Sequence, residues 1–145
     1  MTRSASIVLH LNALPSAAFP MFDPVNETKW DPQWKPRLLG ARVEEGLVFL
    51  VGDGEHRTTW LVDRYDPVNH RIAYVVAAPS VLTRIVIGLK GDERGTVATV
   101  TYTKTALDEH AAPSVEHFVQ HFPAEQTHWE SAINAALERD DILLP

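Results

Sequence analysis

The stretch "SVEHFVQHFPAEQTHWESAINAALER", residues 114–139, decides the fold. Val115, Phe118, Phe122, Trp129, Ile133 and Leu137 recur at helical spacing, with polar and charged residues between them. Ser114 suits an N-cap. Pro123 interrupts, because it lacks an N–H and its ring clashes with the preceding turn, costing roughly 3 kcal/mol inside a helix. It is tolerated in the first turn of a new helix. The spacing therefore predicts a short helix over about 114–121 and a long one over about 123–139.

Upstream the period changes. Ser4–Ala13 is rich in β-branched and aliphatic residues and reads as a strand. Pro15 and Ser16 begin a short helix that Pro20 limits, with Phe19 and Phe22 on one face. From Leu38, "LLGARVEEGLVFLVGDGEHRTTWLVDRYDP" reads as three strands separated by the turn signals EEG and GDGEH. "DPVNHR" turns the chain again. "RIAYVVAAPS" and "VLTRIVIGLKG" are two more strands, broken at Pro79-Ser80. "GDERG" is a hairpin turn, and "TVATVTYTKTAL" is the last strand. The sum is about seven strands in hairpin order, a largely antiparallel sheet followed by the terminal helix. No repeat or low-complexity linker divides residues 1–145, which are read as one α+β domain.

Composition narrows the function. Hydrophobic residues make up 45% and charged residues 22%, as in a globular protein rather than a disordered one. The net charge is −6, and the scattered Arg and Lys speak against nucleic acid. There is no cysteine, which excludes disulfides, thiolate catalysis and Cys-based zinc sites and fits a reducing cytoplasm. "MTRSASIVLHLNALPS" carries one Arg, and His10 and Asn12 interrupt its apolar run, so it does not read as a signal peptide. Ile72–Pro79 is far shorter than the roughly 20 residues a membrane span needs. The expectation is a soluble, cytoplasmic protein with no metal and no cofactor; pairing into a homodimer is left open.

One segment fits neither period. "FPMFDPVNETKWDPQWKP", residues 19–36, holds four of the ten prolines and two of the four tryptophans. This segment, with "TTWLVDRYDPVNHRIAYV", "VTYTKTAL" and "HWESAI", resembles the START-like superfamily, also called SRPBCC. That superfamily includes polyketide cyclases, lipid-transfer domains and pollen-allergen-type proteins. The first segment is similar to a Phe-Pro-Leu-Phe-x-Pro-x-x-Glu-x-x-Trp-x-x-x-Trp-x-Pro pattern of small bacterial members. The resemblance covers nearly the whole chain and implies a helix-grip fold, in which a curved sheet wraps around the last helix. It implies that residues 19–36 form the rim of a cavity between sheet and helix. It also implies binding of a small hydrophobic, lipid-like or polyketide-like molecule, with a cyclase/dehydratase-type enzyme or a chaperone-activator-like interaction module as alternatives. The superfamily has no shared catalytic motif, so no catalytic residue is transferred.

The cavity candidates follow from alternation and helical spacing. They are Trp30 and Trp34 of the rim, and Phe49, Trp60, Val62, Tyr74, Val76, Val100 and Tyr102 of the sheet. The helices add Phe118, His121, Phe122 and Trp129. Trp and Tyr suit such a site, being large and apolar with one polar handle. Glu27 is a candidate acid or base if burial raises its pKa. Strict alternation puts Arg64 on the face of Trp60 and Val62, where it could pair a carboxylate ligand, and Asp63 on the other face. "HFVQH" places His117 and His121 four apart, with His128 seven further on, roughly on one helical face. It lacks the H-E-x-x-H order of a zinc site and reads as solvated or half-buried histidines. "GDG" at 52–54 is a turn, since the spacing of a phosphate loop is absent.

Overall fold

The structure is a computed structural model that describes residues 1–143, with side chains through residue 140. Seven strands form one sheet: β1 (Thr2–Leu11), β2 (Arg37–Leu38), β3 (Val48–Val51), β4 (Thr58–Asp66), β5 (Arg71–Ala77), β6 (Val81–Gly91) and β7 (Thr96–Ala106). Their order is β1-β7-β6-β5-β4-β3-β2, every neighbour antiparallel. Only the step from β1 to β7 joins strands distant in sequence; the rest is a meander of hairpins. The β6–β7 turn needs its glycine: Gly95 has φ +151°, and a Cβ there would stand 2.4 Å from the Leu11 carbonyl oxygen.

Between β1 and β2 lie α1 (Pro15–Ala18) and short 3-10 turns at Phe19–Phe22 and Asn26–Lys29. After β7 come α2 (Ala112–His121), a 3-10 turn at Phe122–Glu125 and α3 (Gln126–Leu143). Pro123 falls in that turn, so the chain stays helical but changes winding, and α3 starts three residues later than the spacing predicts. Ser114 is not the cap. Asp108 accepts from the Ala111 N–H at 3.0 Å, and Ser114 Oγ instead donates to the Ala111 carbonyl at 2.8 Å.

Alternation on each strand builds the core. Ile7, Leu9 and Leu11 of β1 point inward, as do Ile85, Ile87 and Leu89 of β6. From α3, Ile133, Ala136 and Leu137 are buried against them, at the spacing of one helical stripe. Strand β1 is a sheet edge, and half of its N–H groups would otherwise face solvent. Helix α3 supplies their acceptors. Val8 N–H donates to Gln126 Oε1 at 3.2 Å, His10 N–H to Glu130 Oε1, and Asn12 N–H to Asn134 Oδ1 at 2.8 Å. Asn134 Nδ2 also donates to the His10 carbonyl at 3.1 Å. The match is geometric: four residues of helix rise about 6 Å, close to the roughly 6.6 Å of two residues of strand.

This ladder predicts that the triple variant Gln126→Ala/Glu130→Ala/Asn134→Ala loses about 2–4 kcal/mol of stability in denaturant unfolding, at roughly 1 kcal/mol per bond. Alanine is the better helix former, so helix propensity cannot be the cause. A loss within experimental error would show that the ladder holds nothing.

Candidate functional site

The irregular segment is tied down by its own tryptophans. Trp30 Nε1 donates to the Met21 carbonyl at 2.7 Å and Trp34 Nε1 to the Pro24 carbonyl at 2.8 Å. Each indole closes a loop of nine or ten residues that has no ladder of its own. Asp23 accepts from the N–H groups of Val25 and Asn26 at 2.9 and 2.7 Å and from Asn26 Nδ2 at 2.8 Å, fixing the turn at its start. Tyr74, at the middle of β5, donates its hydroxyl to the Phe22 carbonyl at 2.6 Å and so fastens the segment to the sheet. Lys29 pairs with Asp140 at 3.1 Å, and Arg139 donates to the Lys29 carbonyl at 2.9 Å, which fastens it to α3.

A cavity of about 550 Å³ remains between this segment, the sheet and α3. All four tryptophans of the chain line it: Trp30, Trp34, Trp60 and Trp129. Phe22, Tyr74, Tyr102, Ile85 and Ile87 complete the apolar wall. Trp34 and Trp60 lie 5.2 Å apart, centroid to centroid, and Trp60 and Tyr74 5.5 Å, both edge to face. Opposite them Trp30 and Trp129 stand at 5.3 Å. Asp31, Pro32 and Gln33 form one lip of the mouth, and Glu125 and His128 the other.

Three polar groups on the wall bond to no protein group among the described residues: the Glu27 carboxyl, the Tyr102 hydroxyl and the Trp129 indole N–H. No fully enclosed side-chain polar atom there lacks a partner, so all three owe their freedom to the open cavity. Burial pushes the Glu27 carboxyl up to about 8, and the nearby carboxylates of Asp31 and Asp23 add to the rise. Burial also raises the Tyr102 phenol, as does Glu27. The same causes hold Tyr74 well above the ordinary range. Lys104, inward on β7, sits 4.4 Å from the centre of the Phe118 ring, and burial lowers its pKa. It does not line the cavity.

Of the candidates read from the sequence, Glu27, Trp30, Trp34, Trp60, Tyr74, Tyr102 and Trp129 meet at this one cavity. Phe49, Val62, Val76, Val100, Phe118 and Phe122 lie behind the lining as packed core. The Phe122 ring lies tilted against that of Tyr102, centroids 4.7 Å apart, and packs it in place. Two candidates lie elsewhere. A β-bulge at Asp63 shifts the register, so that Val62 pairs with Tyr74 but Arg64 with Ala73. The extra residue inverts the alternation and sends Arg64 to the exposed outer face of the sheet. His121 faces solvent, stacked on His117 at 3.9 Å with its Nδ1 on the His117 carbonyl. His128, beyond the 3-10 turn, reaches the mouth instead.

Phe22, Asp31, Pro32, Gln33, Ile85, Ile87, Glu125 and His128 escaped the sequence reading. Ile85 and Ile87 were legible from the alternation of β6; the loop residues carry no periodic signal. A larger, open depression of about 870 Å³ lies on the outer face, lined by Arg64, Arg71, Lys90 and threonines. It encloses nothing and leaves no buried polar group unpartnered.

Several solved structures share this architecture. A norcoclaurine synthase point mutant from Thalictrum flavum superposes with TM-score 0.73 at 13% identity, covering 97% of both chains. Ara h 8.0201 does so with TM-score 0.71 at 14% identity, over 96% of this chain and 99% of that one. DynU16, from the dynemicin biosynthetic locus, matches with TM-score 0.65 at 16% identity; 93% of this chain is covered but only 47% of DynU16. The chain has the helix-grip fold. At these identities the likeness shows the fold alone. No protein-family model and no curated protein matches the sequence. No described helix is long and apolar enough to cross a membrane.

Two predictions follow from the wall. Tyr74→Phe leaves the Phe22 carbonyl without its donor and should cost about 1–3 kcal/mol in denaturant unfolding. For Glu27, the folded state keeps a proton that the unfolded chain has lost. Its contribution to stability therefore falls as pH rises from about 4.5 to about 8. Glu27→Gln should match the parent near pH 4 and exceed it increasingly toward pH 8; parallel stability profiles would refute the buried acid.

Proposed function

We propose that the protein binds a small, largely apolar molecule in the cavity between its sheet and α3. One observation carries this reading: every tryptophan of the chain borders the same unfilled space. A core that merely needed packing would place its largest side chains where they fill volume. Here they surround about 550 Å³, within the roughly 300–1,000 Å³ typical of ligand sites. Burial of apolar surface would supply most of the affinity, at roughly 25 cal/mol per Å² before ordering costs. Glu27 and Tyr102 would fix orientation. An open, aromatic-lined cavity also favours this reading over an interaction module, which would suit a filled interior.

The four tryptophans make the test direct. Titration with the neutral probe 4-phenylbutanol should change indole fluorescence saturably. Ile87→Phe, which pushes a ring into the cavity, should weaken binding about tenfold or more, or about 1.4 kcal/mol. Absence of a saturable change in the parent protein would refute cavity binding. Solvent extraction of denatured protein followed by mass spectrometry would identify any co-purifying molecule.

A second reading, acid–base chemistry of the cyclase or dehydratase kind on the bound molecule, is favoured by one feature. The Glu27 carboxyl, at about 8, can give or take a proton near neutral pH, with the Tyr102 hydroxyl on the same wall. The structural likeness to a norcoclaurine synthase is compatible with it. If turnover of a candidate substrate is found, Glu27→Gln and Tyr102→Phe should each lower kcat about a hundredfold. Unchanged rates would remove them from the chemistry.

A further inference from the structure

We propose that the preferred ligand of this cavity is a cation, an apolar or aromatic body bearing a protonated amine whose ammonium group sits between Glu27 and the tryptophans. The inference rests on the cavity reading above and adds a charge to the ligand.

Three features converge on it. First, the lining is electrically one-sided. Glu27 is on the wall and Asp31 and Glu125 are at the mouth, while no Lys or Arg is among the lining residues and the one basic side chain, His128, is exposed at the outer lip. The inward lysine, Lys104, is engaged over the Phe118 ring outside the lining. A purely apolar guest gives no reason for three acids with no Lys or Arg to pair them. An anionic guest would meet repulsion from all three.

Second, the aromatic walls suit a cation. The faces of Trp rings carry negative quadrupole density, and Trp is the best cation–π partner among the side chains. Trp34 and Trp60 stand edge to face on one side, and the tilted pair Trp30 and Trp129 on the other. Three of the four indole N–H groups do not compete for the guest: Trp30 and Trp34 donate to backbone carbonyls and Trp60 to Thr58 Oγ1, which leaves Trp129. What these three rings offer the cavity is π surface and ring edge.

Third, Glu27 is a half-buried carboxyl on the cavity wall that accepts no hydrogen bond from a protein donor among the described residues. Asp23 is saturated by its own turn, and Tyr74 is committed to the Phe22 carbonyl. The donor Glu27 lacks is one that a guest can bring. Asp23, Asp31, Tyr74 and Tyr102 lie near it, and none carries positive charge; the helix side adds Glu125 and His128 at the mouth of the same cavity.

The proton balance gives a signature. Below about 8 the empty site holds Glu27 as the acid. An arriving ammonium favours the carboxylate, so binding releases a proton to solvent and leaves an ion pair. Affinity should therefore rise with pH, by at most tenfold per unit, and level off above about 8 while the amine remains protonated.

The test compares two probes of equal shape, 4-phenylbutylamine and 4-phenylbutanol, by calorimetry on the full chain. The amine should bind at least about tenfold tighter at pH 8, as expected of a charge-assisted hydrogen bond. At pH 7 its binding should release close to one proton, read as the difference in heat between buffers of unlike ionisation enthalpy. In Glu27→Gln the preference for the amine and the proton release should both disappear; near-UV circular dichroism checks that this variant is folded. Equal affinities in the parent, or a preference that survives Glu27→Gln, would overturn the cationic ligand while leaving cavity binding intact. If neither probe binds, cavity binding fails and this inference fails with it.

Discussion

The position of α3 along the sheet's edge is the constraint on which the rest depends. The helix does not lie flat across the middle of the sheet. Gln126, Glu130 and Asn134 hold it to β1, where they satisfy backbone donors that would otherwise face solvent. Its buried stripe, Ile133, Ala136 and Leu137, seals the β1 side of the interior. Toward β4 and β5 the gap between helix and sheet stays wide. Residues 19–34 close it only partly, and the remaining space is the cavity. Edge protection and the unfilled space are thus two results of one placement.

Closing that gap with irregular chain is costly, because backbone groups without a ladder must find other partners. Side chains provide them. The two indoles, Asp23 and Tyr74 together anchor a segment that prolines bend but cannot pair. The tryptophans therefore serve twice, as hydrogen-bond staples at one end and as cavity wall at the other. Packing and lining a cavity are not competing roles for them; the amphipathic indole does both.

Most of the fold was legible because it is periodic. The seven strands, the hairpin turns and the helical stripe from Val115 to Leu137 each repeat with the period of the element they form. What escaped was aperiodic. The bulge at Asp63 leaves no mark in the residues around it, yet it reverses every position after it. The 3-10 turn around Pro123 changes the phase of the helix, and for that reason His121 and His128 do not share a setting. Asp31, Gln33, Glu125 and His128 come together only because the rim segment and the helix start meet in space. The signal for the aromatic half of the cavity was the residue type, Trp and Tyr, more than its spacing.

The bulge reaches further than the register of one hairpin. Inside the sheet, Val62 pairs with Tyr74, in the same inward row as Tyr102 and Ile85. Had β4 kept strict alternation, the guanidinium of Arg64 would have been delivered to the hollow side, where it would neutralise the acid on the wall. One supernumerary residue exports that positive charge to the convex exterior, beside Arg71 and Lys90. The face on which this positive charge falls is thus set by a counting irregularity in the backbone.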